Sequence, residues 1–72
     1  MFELNLEGLM CPLPVLKTKK FLAQVDSGVV VKIYTTDPAS EQDLQEFCSK
    51  TGNKLIEQIH HGATIVTKIQ RR

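Results

Sequence analysis

The chain has no tryptophan, one tyrosine and three phenylalanines. Without Arg or Lys clustered around them, these aromatics give little support for stacking on RNA bases. Two cysteines fall short of the disulfide framework that staples small secreted scaffolds. No apolar run approaches the ~18 residues of a membrane span. The first residues lack the basic start, apolar core and small-residue cleavage site of a secretory signal. A reduced, cytoplasmic compartment is therefore expected, with no membrane role. A net charge of +1 gives no global attraction to nucleic acid. Neither a phosphate loop nor a dinucleotide fingerprint occurs, since Gly8 is a lone glycine in its loop. What remains is a 72-residue chain, 42% hydrophobic. That is the size of one domain, residues 1–72, near the lower limit for a self-sustaining core.

Phe2-Glu3-Leu4-Asn5-Leu6 alternates apolar and polar, the period of a half-buried strand, with Phe2, Leu4 and Leu6 facing inward. Gly8 permits the turn that follows. A helix is expected from Pro12 to Val25, with Val15, Thr18, Phe21, Leu22 and Val25 on its inner side. Val29 to Thr36 is β-branched almost throughout and is the strongest strand. Asp37-Pro38 reads as cap and first residue of a second helix, and Ser40-x-x-Asp43 as a capping box one turn further in. Leu44, Phe47, Cys48 and Thr51 form that helix's buried stripe, and Gly52 ends it. Two strands follow, Lys54–His60 and Ala63–Ile69, around a turn at His61-Gly62. The stretch Leu55-Ile56-Glu57-Gln58-Ile59 does not alternate, so its inward face is open. The order β-α-β-α-β-β predicts an α+β two-layer sandwich, a mixed four-stranded sheet with two helices on one face.

The chemistry centres on Gly8-Leu9-Met10-Cys11-Pro12-Leu13-Pro14-Val15. Prolines in a first helical turn cost no ladder bonds, which puts Pro12 at the first helical position and Cys11 at the N-cap. Ser, Thr, Asp or Asn is the ordinary cap. A thiol there meets the positive end of the helix dipole, which favours thiolate. Cys11 is thus the expected reactive residue, with Gly8, Pro12 and Pro14 as its structural supports. Leu13 and Leu16 lie on the outer helix face without a core to fill. Met10, Leu13, Leu16, Lys17 and Lys20 are the expected partner-docking residues, with the lysines behind. Cys48 reads as a packed, inert thiol. Whether it pairs with Cys11 is open without geometry. His60 and His61 would point to opposite faces of a strand. Their spacing from the cysteines matches no zinc pattern, and no Cys–His–Asp arrangement supports acyl transfer. No metal or cofactor is expected.

This stretch, with Lys19 or Lys20 and Leu22 after it, resembles the signature of the TusA/SirA sulfur-carrier family. The resemblance continues through Asp37-Pro38, Asp43, Phe47-Cys48 and Gly52. It implies strand order 1-2-4-3 with strand 4 antiparallel to the rest, and a persulfide carried on Cys11. It further implies transient protein partners: a sulfur donor, such as a cysteine desulfurase or another sulfurtransferase, and a sulfur acceptor. The chain itself is expected to be a monomer. Family roles include tRNA thiolation, molybdenum-cofactor supply and sulfur oxidation. Leu13 stands where the tRNA-relay member typically has an acidic residue. The competing expectation is a small RNA- or protein-binding regulatory module without thiol chemistry, which the same fold would permit.

Overall fold

The computed structural model describes all 72 residues. Six elements follow in the expected order: β1 (Phe2–Asn5), α1 (Leu13–Leu22), β2 (Val30–Thr35), α2 (Ser40–Thr51), β3 (Lys54–His61) and β4 (Thr64–Gln70). The sheet order is β1-β2-β4-β3. β1 is parallel to β2, and β4 is antiparallel to both of its neighbours. In β2 the alternation is complete: Val31, Ile33 and Thr35 are buried, while Val30, Lys32 and Tyr34 are half-buried. Val31, Ile33 and Ile69 of the sheet meet Leu22 of α1 and Leu44, Phe47 and Cys48 of α2 in one core. The helices therefore cover a single face.

Several element boundaries depart from the sequence expectation for identifiable reasons. α1 stops at Leu22 because Gln24 and Val25 donate to carbonyls three residues back, Phe21 and Leu22, the tighter winding common at helix ends. Asp37 caps as expected, its Oδ1 accepting the Ala39 N–H at 3.0 Å. The turn it caps is also tight, and regular helix begins only at Ser40. The capping box does not form. Ser40 is buried, and its hydroxyl donates to the Asp37 carbonyl at 2.7 Å. That leaves the Thr35 hydroxyl to donate to Ser40 Oγ at 2.6 Å. Phe2 is half exposed rather than inside. It begins an edge strand, and its ring packs edge-to-face with that of Phe21, centroids 5.8 Å apart.

The ambiguity in β3 has a cause. The register shifts between Leu55 and Glu57, so Ile56 sits at a bulge, where one extra residue breaks the alternation. Beyond it, Glu57 lies on the open sheet face, 3.0 Å from Lys68 Nζ. Gln58 turns to the helix side and reaches the Glu41 carbonyl. His60 faces α2, with Nε2 3.1 Å from Glu41 Oε2. His61 lies on the opposite face beside Tyr34 and Lys68. The turn falls at Gly62-Ala63, one residue later than expected.

The chain end is not a loose tail. Arg71 Nε donates to the Leu22 carbonyl at the end of α1, at 2.8 Å. The Arg72 side chain lies over Gly52, the left-handed residue (φ 82°) that ends α2. Cations at helix C-termini complement the dipole. The last two residues thus close both helices at the end remote from Cys11.

Candidate functional site

The loop between β1 and α1 is held from the second half of the chain. Gly8, at φ 83°, donates its N–H to Thr36 Oγ1 at 2.8 Å. Three residues on, the Cys11 N–H donates to Asp37 Oδ2 at 2.7 Å. One carboxylate therefore serves both crossovers, with Oδ1 on the α2 turn and Oδ2 on the thiol loop. A Met10–Leu13 turn then leads into α1, whose first backbone bond runs from the Leu16 N–H to the Pro12 carbonyl at 3.1 Å. This places Pro12 at the N-cap and Pro14 within the first turn. Cys11 precedes the cap by one residue instead of occupying it, because the Cys11–Pro12 peptide belongs to the turn. Pro14 is buried.

The two cysteines are free thiols, Cys11 exposed and Cys48 buried. Burial pushes the Cys48 thiol up to about 11, which suits an inert core residue. The Cys11 thiol is also shifted upward, against the direction expected from a helix N-terminus. The largest cause is a hydrogen bond from the thiol to the Asp43 carboxylate, followed by desolvation and the negative charges of Asp43 and Asp37. Each of these influences, led by Asp43, favours the protonated form of the thiol.

Cys11 heads an open groove of about 410 Å³ between the helices. Pro12, Val15, Leu16 and Lys19 form the α1 wall, and Asp43, Glu46, Phe47, Lys50 and Thr51 the α2 wall. The α2 residues recur at three- and four-residue spacing, one stripe of a helix. Asp43 and Glu46 are the acidic residues of the groove and Lys19 and Lys50 its basic ones; Arg71 and Arg72 line an adjoining depression that shares Lys19. Met10, Leu13 and Leu16 are 71%, 41% and 54% exposed beside the thiol. Of these three, only Leu16 lines the groove. Lys17 and Lys20 line a separate depression against Leu4 and Leu6 of the β1 segment, so Lys19 is the α1 lysine on the Cys11 side. In the sequence Asp37 and Asp43 were legible as helix-capping residues and as part of the family resemblance, without a link to Cys11. Lys50 carried no sequence signal beyond its helical spacing from Phe47.

The fold and site together define a small two-layer α+β sandwich with one exposed thiol, Cys11, lining an open, charged groove. Residues 2–71 match the family described as Sulfurtransferase TusA. The chain is 45% identical over 60 residues to the sulfur carrier protein TusA of Allochromatium vinosum, covering 83% of this chain and 79% of that protein. It is 32% identical over 69 residues to the sulfur carrier protein TusA of Pseudomonas entomophila, covering 96% and 86%. The crystal structure of a SirA-like protein from Desulfitobacterium hafniense superposes with a TM-score of 0.86. It is 29% identical, and the match covers 97% of this chain and 96% of that one. The chain belongs to the TusA family.

Proposed function

We propose that this protein is a sulfur carrier, working as one domain and a monomer in a reducing compartment. It takes sulfane sulfur onto Cys11 from a donor protein's persulfide and delivers it to an acceptor protein. The single observation that carries this reading is the exposed Cys11 thiol at the head of the α1–α2 groove, its loop tethered through Asp37. A carrier needs a thiol that two different partners can reach in turn, and an open groove allows that where a closed pocket would not. Cys11 does the covalent work. Gly8, Pro12 and Pro14 shape its loop, and Met10, Leu13 and Leu16 form the apolar docking patch. Lys17 and Lys20 flank that patch on the β1 side. Such contacts are small, transient and partly electrostatic, so they weaken with salt.

The test is intact-protein mass spectrometry after incubation with a cysteine desulfurase and cysteine, and in parallel with polysulfide. A gain of one sulfur that reducing agent reverses, present in Cys48→Ser and absent in Cys11→Ser, is expected. No gain from any donor on the folded, reduced protein would refute the reading.

A further inference from the structure

We infer that the groove headed by Cys11 seats an extended acidic segment of a partner protein, whose carboxylates are held by Lys19, Lys50, Arg71 and Arg72. The inference rests on the carrier reading above, in which that segment brings the reacting cysteine to Cys11. The Cys11 groove and the adjoining depression share Lys19, Phe47 and Thr51, so they form one continuous track. β1 and β3 both run parallel to β2, and each helix returns the chain between parallel strands. The two helices therefore point the same way, and the track leads from Cys11 to both of their C-terminal ends. Only two ion pairs form in the whole fold, His60 with Glu41 and Lys68 with Glu57. All four cations of the track thus lack a carboxylate partner. Arg71 gives its Nε to the Leu22 carbonyl and keeps the other donors of its guanidinium fork.

Closing the helix ends accounts for only part of this charge. A helix C-terminus carries about half a negative charge, so two ends and Glu46 amount to about two negative units against four positive ones. Glu46 already accepts from Gln42. The surplus is local, since the whole chain carries only +1. Openings of about 410 and 260 Å³, with Val15 and Leu16 on one wall, suit several residues of extended chain rather than one small anion. Pro12 caps α1, and Lys19 lies about 10 Å further along the axis. Leu22, where Arg71 attaches, lies about 15 Å along it. An extended chain rises about 3.3 Å per residue, so the carboxylates fall about three to five residues from the partner's cysteine. Closer ones would meet Asp37, which accepts the Cys11 N–H, and Asp43 in the groove wall. A nucleic-acid strand is the weaker fit, because Phe47, the one aromatic residue lining the track, is buried and offers little to stack on.

The probe is a synthetic peptide whose cysteine is held as a mixed disulfide with thiopyridine. Attack by the Cys11 thiolate forms the Cys11–peptide disulfide and expels thiopyridone, which absorbance follows. One peptide carries glutamates at about three to five residues from the cysteine, made in both chain directions, and its control carries glutamines there. At low salt the glutamate peptide of one direction should react about 10-fold faster than its control, the scale of steering into a charged cleft. The ratio should shrink as salt rises and collapse in Lys19→Gln/Lys50→Gln. Taking the ratio cancels any change in the thiol's own reactivity. Lys32→Gln/Lys68→Gln, which removes the same charge from the open sheet face, should keep it. Equal rates for the two peptides in both directions overturn the inference. So does an equal loss of the ratio in both double variants, the mark of net charge alone. A peptide that gains as much with its glutamates next to the cysteine overturns it too, because the register then fails. If a single-stranded RNA oligomer blocks the reaction more strongly than a cysteine-free glutamate peptide, the cations belong to nucleic acid and the inference falls. Sulfur loading is measured separately, by the mass spectrometry above. Failure to load with the peptide ratio intact refutes the carrier reading and leaves the acidic-segment site standing, whereas loading with equal peptide rates refutes this inference alone.

Discussion

Thr18 offers a measurement of stability that leaves the site alone. It lies on the inner face of α1, fully buried, and its hydroxyl oxygen has no hydrogen-bond partner. A buried, unpartnered polar group costs about 1–3 kcal/mol. Valine has nearly the same shape and a similar helix propensity. Thr18→Val should therefore recover much of that cost, about 1–2 kcal/mol. In a domain of this size each kcal/mol raises the melting midpoint by about 4–8 °C. Urea unfolding should show a higher midpoint with an unchanged slope, the mark of altered stability rather than altered compactness. Thr18→Ser is the control. It keeps the hydroxyl and loses the methyl, so it should lose about 1 kcal/mol. Thr18 does not line the Cys11 groove, so alkylation of Cys11 should be the same in Thr18→Val and wild type. A Thr18→Val protein less stable than wild type would refute the reasoning, because it would mean the hydroxyl finds a partner in the folded state.

Asp37→Ala removes the α2 turn cap together with the tether of the thiol loop, and should cost about 1–2 kcal/mol by urea unfolding. In the same variant the Cys11 amide should lose hydrogen-exchange protection before the β2 amides do. Gly52→Ala places a Cβ 2.9 Å from Arg72 Cδ at a positive φ. It should destabilise by about 1 kcal/mol or more, and Arg72→Ala should relieve part of that loss. Cys48 gives a pH dependence of known sign. Its folded-state value, about 11, lies above that of an exposed thiol. The unfolded chain therefore sheds this proton first as pH rises. Stability should be unaffected below the ordinary thiol range and decline as pH climbs from there to about 11, and Cys48→Ala should lack that segment of the slope in urea midpoints.

The six elements were legible because periodicity and punctuation agree: alternation in β1, β2 and β4, helical spacing in α1 and α2, and turn residues between them. The strand order came from family resemblance, since nothing in the residues alone places β4 between β2 and β3. The bulge at Ile56 hid the face of β3, because one extra residue inverts every side chain after it. At the site, Cys11 and its two prolines marked the candidate thiol, whose exposure the fold bears out, but its electrostatics were not readable. A helix N-terminus is a local feature, visible in sequence. The carboxylates that oppose it come from 26 and 32 residues further along, Asp37 and Asp43, and each already had a sufficient local explanation as a capping residue. The contacts of Arg71 and Arg72 were not legible for the same reason: their partners, Leu22 and Gly52, are distant in sequence.

The tether through Asp37 has a consequence for when the protein becomes competent. Thr36 and Asp37, which hold Gly8 and Cys11, are set only when β2 has paired and the second crossover has closed. A nascent chain, or one that has opened at α2, still carries Cys11 but not its posture or its acidic neighbours. It offers an ordinary flexible thiol that ionises more readily and meets small oxidants without a groove around it. The contact thus ties the setting of the thiol to completion of the fold: the cysteine is made early, and gains its acidic surroundings only after the later half of the chain has folded against it.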